Sequence, residues 1–223
     1  MKKLLLFVGI LFINSFLFSQ GITTASAYFK TISEYYAGLK DYECDFEIKI
    51  ERQESAGTLS YKAPDLIRLD YTNPEEQVIC FNGETLSIYL AETTTGLQQQ
   101  VTPGSSASAA SIGSAQGLSL MSRYYSVAYE TGQDPEPLDA ESDEMVVKFL
   151  LTKKSAAEAF RYIKVAVSAD TKLIRRIEAV TSKGETFLFN FYEYKLNQGI
   201  ADQRFVYEIP SKANVYNNFL FSE

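Results

Sequence analysis

Alternation of apolar and polar residues with a period of two is the feature that most constrains how this chain can fold. The clearest stretch runs from Tyr42 to Glu51, where Tyr, Cys, Phe and Ile alternate with Glu, Asp and Lys. Successive side chains of a strand point to opposite faces, so this stretch predicts a strand with one dry and one wet face. Further strands are predicted near residues 59–61, 67–71, 78–81, 85–90, 126–130, 145–151, 161–167, 173–180, 185–194 and 204–208.

Turn-forming residues separate these strands at short intervals, for example at residues 55–57, 72–74 and 82–83. Short connections imply antiparallel neighbours. One amphipathic helix is predicted ahead of the strands, because apolar residues recur at intervals of three and four from Ile22 to Leu39. About eleven strands with one clear helix predict a mainly β fold with helices, whose large antiparallel sheet must curl.

Composition excludes several classes of function. The 223 residues are 46% hydrophobic, which is enough for the core of one globular domain. The 28 acidic residues outnumber the 21 basic ones, and a net charge of -7 gives no overall electrostatic attraction to nucleic acid or to anionic lipid headgroups. The absence of histidine removes His-containing catalytic triads and zinc sites. The sequence has no GxSxG, GxxxxGK[ST], GxGxxG, HExxH or CxxC motif either, so we expect no enzyme, cofactor or metal site.

Residues 1–20 have the pattern of a secretory signal peptide. Lys2 and Lys3 precede an apolar run from Leu4 to Phe18, and small or polar residues follow it. The alternative is a permanent amino-terminal anchor, since the run is close to the lower length limit for crossing a bilayer. With cleavage, residues 21–223 would form a single domain in a bacterial periplasm.

Two segments between strands have a biased composition. Residues 102–117 are rich in Ser, Ala and Gly, which fits either a flexible loop or a lid that moves over a cavity. Leu118, Leu120 and Met121 follow this segment and predict a short amphipathic turn or helix at the lid or mouth. The acidic residues 134–144, which include two prolines, predict a solvated surface loop.

The period-two pattern assigns a wide apolar surface to one side of the sheet. One helix of about five turns cannot cover it, so the rest must be covered by the sheet itself, by the segment 102–117 with its short helix, or by a ligand. Any one of these residues could be ordinary barrel core, but the ensemble favours a cavity. The candidate cavity residues are Phe29, Ile32, Phe46, Ile48, Ile50, Leu59, Ile67, Leu69, Val147, Phe149, Leu151, Ile163, Val165, Phe187, Phe189 and Phe191.

The two cysteines, Cys44 and Cys80, fall in the first and fourth predicted strands. Neighbouring strands lie about 4.8 Å apart, so three spacings exceed the roughly 7 Å limit on the Cα separation of a disulfide unless the sheet curls tightly. We therefore expect two buried free thiols.

Two stretches resemble the periplasmic outer-membrane lipoprotein carrier family of the LolA type. The first is KAPDLIRLDYTNPEEQVICFNGETLSIYL and the second is FNFYEYKLNQGIADQRFVYEIP, and the resemblance extends from Ile22 to Tyr216. The residues that carry it are Pro64, Arg68, Tyr71, Pro74, Gly83 and Tyr89 in the first stretch and Asn197, Gly199, Asp202, Phe205, Tyr207 and Pro210 in the second.

The resemblance implies an incomplete antiparallel β-barrel, strongly curved, in which the N-terminal helix and short lid helices close a hydrophobic cavity. It implies a monomeric periplasmic carrier that escorts acylated lipoproteins from the inner to the outer membrane. Its partners would be an inner-membrane lipoprotein-releasing transporter and, if one exists, an outer-membrane receptor. The alternative is a periplasmic regulatory protein that uses the same half-barrel to sense mislocalised lipoproteins.

One position departs from the pattern of the family. Well-studied carriers of the family place an arginine directly before the first proline, where it is tied to lid closure and ligand release. This chain has Ala63 there and Lys62 one position earlier. A shift of one residue in a strand reverses the face to which a side chain points, so Lys62 is not an automatic substitute. Arg68 matches a basic family position at the lid or mouth, and it could equally be a surface arginine that pairs with Asp70 or Glu75.

Overall fold

The computed structural model describes residues 23–101 and 114–219. The predicted signal peptide and most of the Ser/Ala/Gly-rich segment lie outside the described residues. The elements are α1 (Ala25–Ala37), β1 (Asp41–Ile50), β2 (Gln53–Lys62), β3 (Leu66–Asn73), β4 (Glu75–Phe81), β5 (Thr85–Leu90), β6 (Thr95–Gln100), α2 (Ala115–Tyr124), β7 (Tyr125–Tyr129), β8 (Glu136–Pro137), β9 (Met145–Lys153), β10 (Phe160–Ser168), β11 (Ile174–Thr181), β12 (Thr186–Leu196), a 3-10 helix (Asp202–Phe205) and β13 (Asn214–Asn217).

All thirteen strands belong to one curled sheet that does not close. The strand order is β13-β6-β5-β4-β3-β2-β1-β12-β11-β10-β9-β7, and β8 pairs with β9 beside this path. The pairs are antiparallel except β13 with β6, which run parallel. The sheet therefore has two edges, at β13 and β7, and the predicted open, strongly curved antiparallel barrel with helices is confirmed.

The sequence pattern did not predict every strand correctly. The predicted strand at 204–208 is wrong, because Arg204 N donates to Ala201 O at 3.0 Å and Val206 N to Gln203 O at 3.2 Å, which closes a 3-10 turn. The pattern missed β6, whose sequence TGLQQQ has a single large apolar side chain. It also missed the short strands β8 and β13. Residues 134–144 are mostly exposed, as predicted, although they include β8.

Helix α1 crosses one half of the concave face of the sheet. Thr24 caps its start, since Thr24 Oγ1 accepts a hydrogen bond from Ala27 N at 3.2 Å. The apolar face predicted from the period of three to four is buried: Phe29 packs edge-on against Phe149 with ring centroids 5.5 Å apart, and Ile32 is fully buried. At the other end, the Tyr36 hydroxyl accepts a hydrogen bond from Ile174 N at 2.9 Å. Among the described residues, no helix has both the length and the apolar character needed to cross a bilayer.

Gly57 lets two strands approach closely where the sheet curls. It lies in β2 opposite Tyr71 of β3, at a register shift. A Cβ atom added at Gly57 would lie 2.1 Å from the Asp70 carbonyl oxygen and 2.8 Å from the Tyr71 Cα atom, both of which are backbone atoms. The space left by the missing side chain is used by Tyr71, whose ring packs edge-on against Phe46 at 5.1 Å.

The chain after β12 forms a strap, residues 198–210, on the convex face of β2 to β6. The buried Asp41 carboxylate accepts hydrogen bonds from the backbone nitrogens of Gln198, at 2.7 Å, and Gly199, at 3.1 Å. Phe205 of the strap is buried, and its carbonyl oxygen accepts a hydrogen bond from Cys80 Sγ at 3.2 Å. The strap therefore covers half of the convex face, as α1 covers half of the concave face.

A charged latch fastens this strap to β3. Arg68 Nη2 lies 2.8 Å from Asp70 Oδ1, and Arg204 Nη2 of the strap lies 2.6 Å from Asp70 Oδ2. Arg68 also lies over the Tyr207 ring, 5.2 Å from its centroid. Burial raises the pKa of the Asp70 carboxyl, but the hydrogen bonds and charges of the two arginines outweigh burial, and the net pKa is below its ordinary value.

Cys44 and Cys80 are both buried free thiols, as predicted. Cys44 belongs to the core beneath α1, whereas Cys80 lies on the opposite face beneath the strap. Burial raises the pKa of Cys44 to about 12 and that of Cys80 to about 11. Both thiols therefore stay protonated and unreactive at neutral pH.

We predict that Gly57→Ala destabilises the fold by about 1–3 kcal/mol, because backbone atoms of β3 must move to admit the methyl group. Gly132→Ala is the matched control, since a Cβ atom at Gly132 meets nothing within 4 Å. Urea denaturation followed by circular dichroism measures both free energies of unfolding. Equal stability of the two variants would contradict the assigned role of Gly57.

We further predict that Asp70→Asn lowers the free energy of unfolding at pH 7 by about 1–2 kcal/mol, a value discounted for the partial exposure of the latch. A carboxyl whose folded pKa is depressed stabilises the fold above its unfolded pKa of about 3.9 and loses this contribution as the pH falls through the folded value. The difference between the wild type and the variant should therefore shrink below about pH 4. Glu34→Gln, which breaks an exposed pair with Lys30, should cost less than about 0.5 kcal/mol at either pH.

Candidate functional site

A row of apolar side chains crosses the half of the concave face that α1 does not cover. Strand register places Leu59 beside Leu69, Leu69 beside Ile79, Ile79 beside Ile88, and Ile88 beside Leu97. Leu59 is buried at the edge of the core, whereas the other four are only half-buried. Part of a continuous aliphatic surface across β3 to β6 is therefore exposed.

A second half-buried apolar group lies on β1 and β12, near the turn that contains Gly184. Ile48 pairs with Phe189 and Ile50 pairs with Phe187. Ile48 and Ile50 lie on the same face of β1 as the buried Phe46, two and four residues further along the strand. We refer to this end of the sheet, which carries the turns at residues 51–52 and 182–185, as the 184 end. The concave face is closed by α1 near the opposite end and becomes more exposed toward the 184 end.

The structure separates the predicted cavity residues into two groups. The first group is buried and packs in the core: Phe29, Ile32, Phe46, Leu59, Val147, Phe149, Leu151, Ile163, Val165 and Phe191. The second group is half-buried on the same face: Ile48, Ile50, Ile67, Leu69, Phe187 and Phe189. Only the second group already presents surface that a ligand could contact without displacing α1. We call this partly exposed region of the concave face, within the described residues, the groove.

Three half-buried residues of this surface, Ile79, Ile88 and Leu97, were not among the predicted residues. The alternation within the predicted strands 78–81 and 85–90 contained the signal for Ile79 and Ile88, once the register places them beside Leu69. Leu97 lies in β6, where the flanking glutamines conceal the pattern.

Helix α2 packs against α1 and contacts β7 and β9. The Ser114 side chain caps its start by accepting a hydrogen bond from Gly117 N at 3.0 Å. Leu118 is fully buried, and Met121 packs against the core, whereas Leu120 is half-buried outside that cluster. Ser33 Oγ of α1 donates to Ala115 O at 3.3 Å. The three predicted lid or mouth residues of this helix therefore face different surroundings.

Arg68 and Lys62 both lie on the convex face. Arg68 alternates with the inward-facing Ile67 and Leu69, and it pairs with Asp70, which is one of the two partners that the sequence suggested. Lys62 Nζ donates to Ile200 O at 2.7 Å and also contacts the Asp202 carboxylate. Neither cation therefore points into the concave groove, and both bind the C-terminal strap.

Residues of the two stretches that carry the resemblance contact each other at the strap. Arg68 of the first stretch stacks on Tyr207 of the second, and its guanidinium donates to Arg204 O at 3.2 Å. Gly83 and Gly199 have positive φ angles of 93° and 75°, as their turns require. These contacts join the strap to the sheet, whereas Tyr71 of the first stretch lies on the concave face against Phe46.

The ionisable groups of the concave side are not arranged for acid-base chemistry. Tyr36, Tyr42 and Tyr194 form a buried cluster with Cys44, and burial raises the pKa of each of these groups. Within residues 23–101 and 114–219, no three His, Cys, Asp or Glu side chains are grouped as a metal site would need. The chemistry that the concave side offers is burial of apolar surface.

Charged side chains line a cleft on the convex face instead. It is bordered by Glu130, Lys148, Lys164, Arg176 and Glu178. Lys164 Nζ lies 2.7 Å from Glu130 Oε1, and Lys148 Nζ lies 3.4 Å from Glu136 Oε1. Arg176 Nη1 lies 2.7 Å from Asp139 Oδ1. These three ion pairs join the basic residues of the cleft to the 130–144 segment.

Comparison with known proteins agrees with this fold. The family described as outer membrane lipoprotein carrier protein LolA matches residues 47–208. An outer-membrane lipoprotein carrier protein of Pseudomonas paraeruginosa is 23% identical over 163 residues, which cover 73% of this chain and 72% of the relative.

Solved structures share the fold at lower identity. An uncharacterized conserved protein from Thermus thermophilus superposes with a TM-score of 0.56 at 13% identity, over 85% of this chain and 97% of that one. The Pseudomonas aeruginosa MucA/MucB complex gives a TM-score of 0.52 at 13% identity, over 86% of this chain and 63% of the matched chain. Because the family match extends over well more than half of the sequence, this chain belongs to the outer membrane lipoprotein carrier protein LolA family.

Proposed function

We propose that this protein is a periplasmic carrier that binds the acyl chains of lipoproteins and escorts them from the inner to the outer membrane. The observation that supports this most strongly is the half-exposed aliphatic surface of β3 to β6 together with Ile48, Ile50, Phe187 and Phe189. In this proposal residues 1–20 are removed as a signal peptide and residues 21–223 act as one domain.

The size of the hydrophobic effect explains why such cargo needs a carrier. Each methylene transferred out of water contributes about 0.8 kcal/mol, so one chain of about sixteen carbons corresponds to roughly 12 kcal/mol. The sequence has no phosphate-loop motif, so loading would depend on an inner-membrane lipoprotein-releasing transporter. Unloading would depend on a better acceptor, such as an outer-membrane receptor. A groove that is open in part suits moderate net affinity, because a bound chain keeps some contact with water.

We infer further that the protein acts by binding and performs no catalysis. The carboxylates of β1 alternate outward, and the concave side offers aliphatic and aromatic carbon. The hydroxyls and thiol that face the core have raised pKa values because they are buried, so they are poor nucleophiles.

A regulatory binding protein with the same half-barrel is the second candidate. The support for it is the shared fold with MucB, a protein that has been solved in complex with MucA. A pull-down from cell envelopes separates the two functions, since a carrier should recover transporter components and a sensor should recover a membrane-bound signalling protein.

We predict that Phe189→Glu weakens the binding of a fluorescent fatty-acid probe at least tenfold, because it places a charge at the centre of the half-buried group. Phe189 is preferable to the fully buried Phe46, where a charge would unfold the core. Leu188→Glu is the matched control: this half-buried neighbour points to the opposite face, between Lys49 and Glu178. The probe should bind the control as it binds the wild type, and equal loss in both variants would contradict the groove.

We also predict that protein purified from cells that make acylated lipoproteins carries them. Mass spectrometry of the purified protein should detect acylated peptides or free acyl lipids, and their amount should fall in Phe189→Glu and not in Leu188→Glu. Protein that is free of lipid and that also fails to bind the fluorescent probe would rule out the carrier function.

A further inference from the structure

Five cationic side chains gather at the 184 end of the sheet, beside the groove. They are Arg123 at the end of α2, Lys153 and Lys154 at the end of β9, Arg161 at the start of β10, and Lys183 in the turn after β11. Adjacent strands bring them together, since Lys154 Nζ donates to Arg123 O at 3.1 Å and Lys153 Nζ to Ser182 Oγ at 3.2 Å. We call these five residues the basic rim.

The basic rim continues the concave face beyond its apolar rows. Lys153 follows the buried Leu151 by two positions on β9, and Arg161 precedes the buried Ile163 by two positions on β10. Phe160 packs edge-on against the half-buried Phe187, with ring centroids 6.0 Å apart. The cations therefore lie where the apolar groove reaches the end of the sheet.

The cations of the rim have no ion-pair partner among the described residues. Over residues 23–101 and 114–219, none of the five cations forms an ion pair. Glu158 and Glu185 share this end, and the cations outnumber them. Across the groove, the β1–β2 and β5–β6 turns carry Glu51, Arg52 and Glu92, and β4 begins with Glu75 and Glu76. At the 184 end, positive charge is therefore concentrated on the side of α2 and β9 to β11, and negative charge on the side of β1 to β6. The net charge of the whole chain is -7.

An aromatic side chain completes the rim. Tyr124 is 42% exposed, and Arg123 lies over its ring at 5.6 Å from the centroid. Exposed tyrosine next to lysine and arginine suits the interface of a bilayer, where the aromatic ring lies at the level of the lipid headgroups.

We propose that the basic rim docks the protein on an anionic phospholipid surface, with the open end of the groove toward the bilayer. Each lysine or arginine near such a surface strengthens binding by about 1 kcal/mol, or roughly fivefold. Docking in this orientation lets an acyl chain pass between the bilayer and the groove with little exposure to water. The inference rests on the proposed function for the direction of transfer, but vesicle binding and acyl-probe binding are separate measurements.

The test is sedimentation of the protein, as processed by the expressing cell, with phosphatidylglycerol-containing vesicles and with pure phosphatidylcholine vesicles. The wild type should bind the anionic vesicles at least tenfold more tightly, and salt should weaken this binding. The variant Arg123→Glu/Arg161→Glu/Lys183→Glu should lose on the order of 100-fold. Its three positions are exposed, and their side chains form no hydrogen bond within the described residues, so the fold should tolerate the change.

The matched control is Lys40→Glu/Lys172→Glu/Lys195→Glu, which changes the net charge equally at exposed positions near the opposite end of the sheet. It should lose less than about fivefold. The proposal is overturned if the wild type binds both vesicle types equally, if the control loses as much as the rim variant, or if a polyglutamate peptide binds the rim while anionic vesicles do not. Retention of acyl-probe binding by the rim variant shows that the groove is intact, so a failure of vesicle docking leaves the proposed function standing.

Discussion

The mismatch between the width of the sheet and the length of its helices determines the rest of this structure. Strands spaced about 4.8 Å apart give the twelve-strand path a width of roughly 50 Å along its curve. Helix α1, with 13 residues, is only about 20 Å long. One face of nearly every strand is apolar, so the helix buries the part that it reaches and leaves the remainder for another cover. The C-terminal strap covers the convex side of β2 to β6, and the concave side of the same strands stays half-exposed.

This division explains why a single alternating pattern produced both core and groove. Phe149 and Ile163 point to the same face of the sheet as Leu69 and Phe189, but the first pair is buried in the core that α1 covers and the second pair is half-buried. Burial of a side chain therefore depends on its distance from α1 as well as on the face of the strand to which it points. Gly57 contributes to the same geometry, because the close approach of β2 and β3 places Tyr71 on Phe46 at the boundary between the two regions.

The sequence predicted the elements with strong periodicity and missed those that backbone pairing or contacts with other segments hold in place. Helix α1, the meander from β1 to β5 and the four long strands β9 to β12 follow from periods that tertiary contacts reinforce. Strand β6 pairs with β5 although its side chains are mostly glutamine, so its backbone and not its pattern places it. The segment 204–208 alternates like a strand, yet Arg204 and Tyr207 bind the latch and hold it on the face of the sheet. For the site, the alternation in the sequence identified which side chains of each strand point to the concave face. Only the strand register and the position of α1 show which of those side chains are exposed and which are buried in the core.

The position of the motifs changes how the departure at Ala63 should be interpreted. Lys62 binds Ile200 and Asp202 of the strap, so it stabilises the convex side and has no path to a ligand in the groove. A release mechanism that needs a cation on the concave side must therefore use a residue elsewhere. The concave face has its cations at the 184 end, where Lys153 and Arg161 continue the apolar rows of β9 and β10. A carrier built in this way would sense the approach of a membrane or acceptor at the opening of the groove, and the strap would keep its structural role throughout.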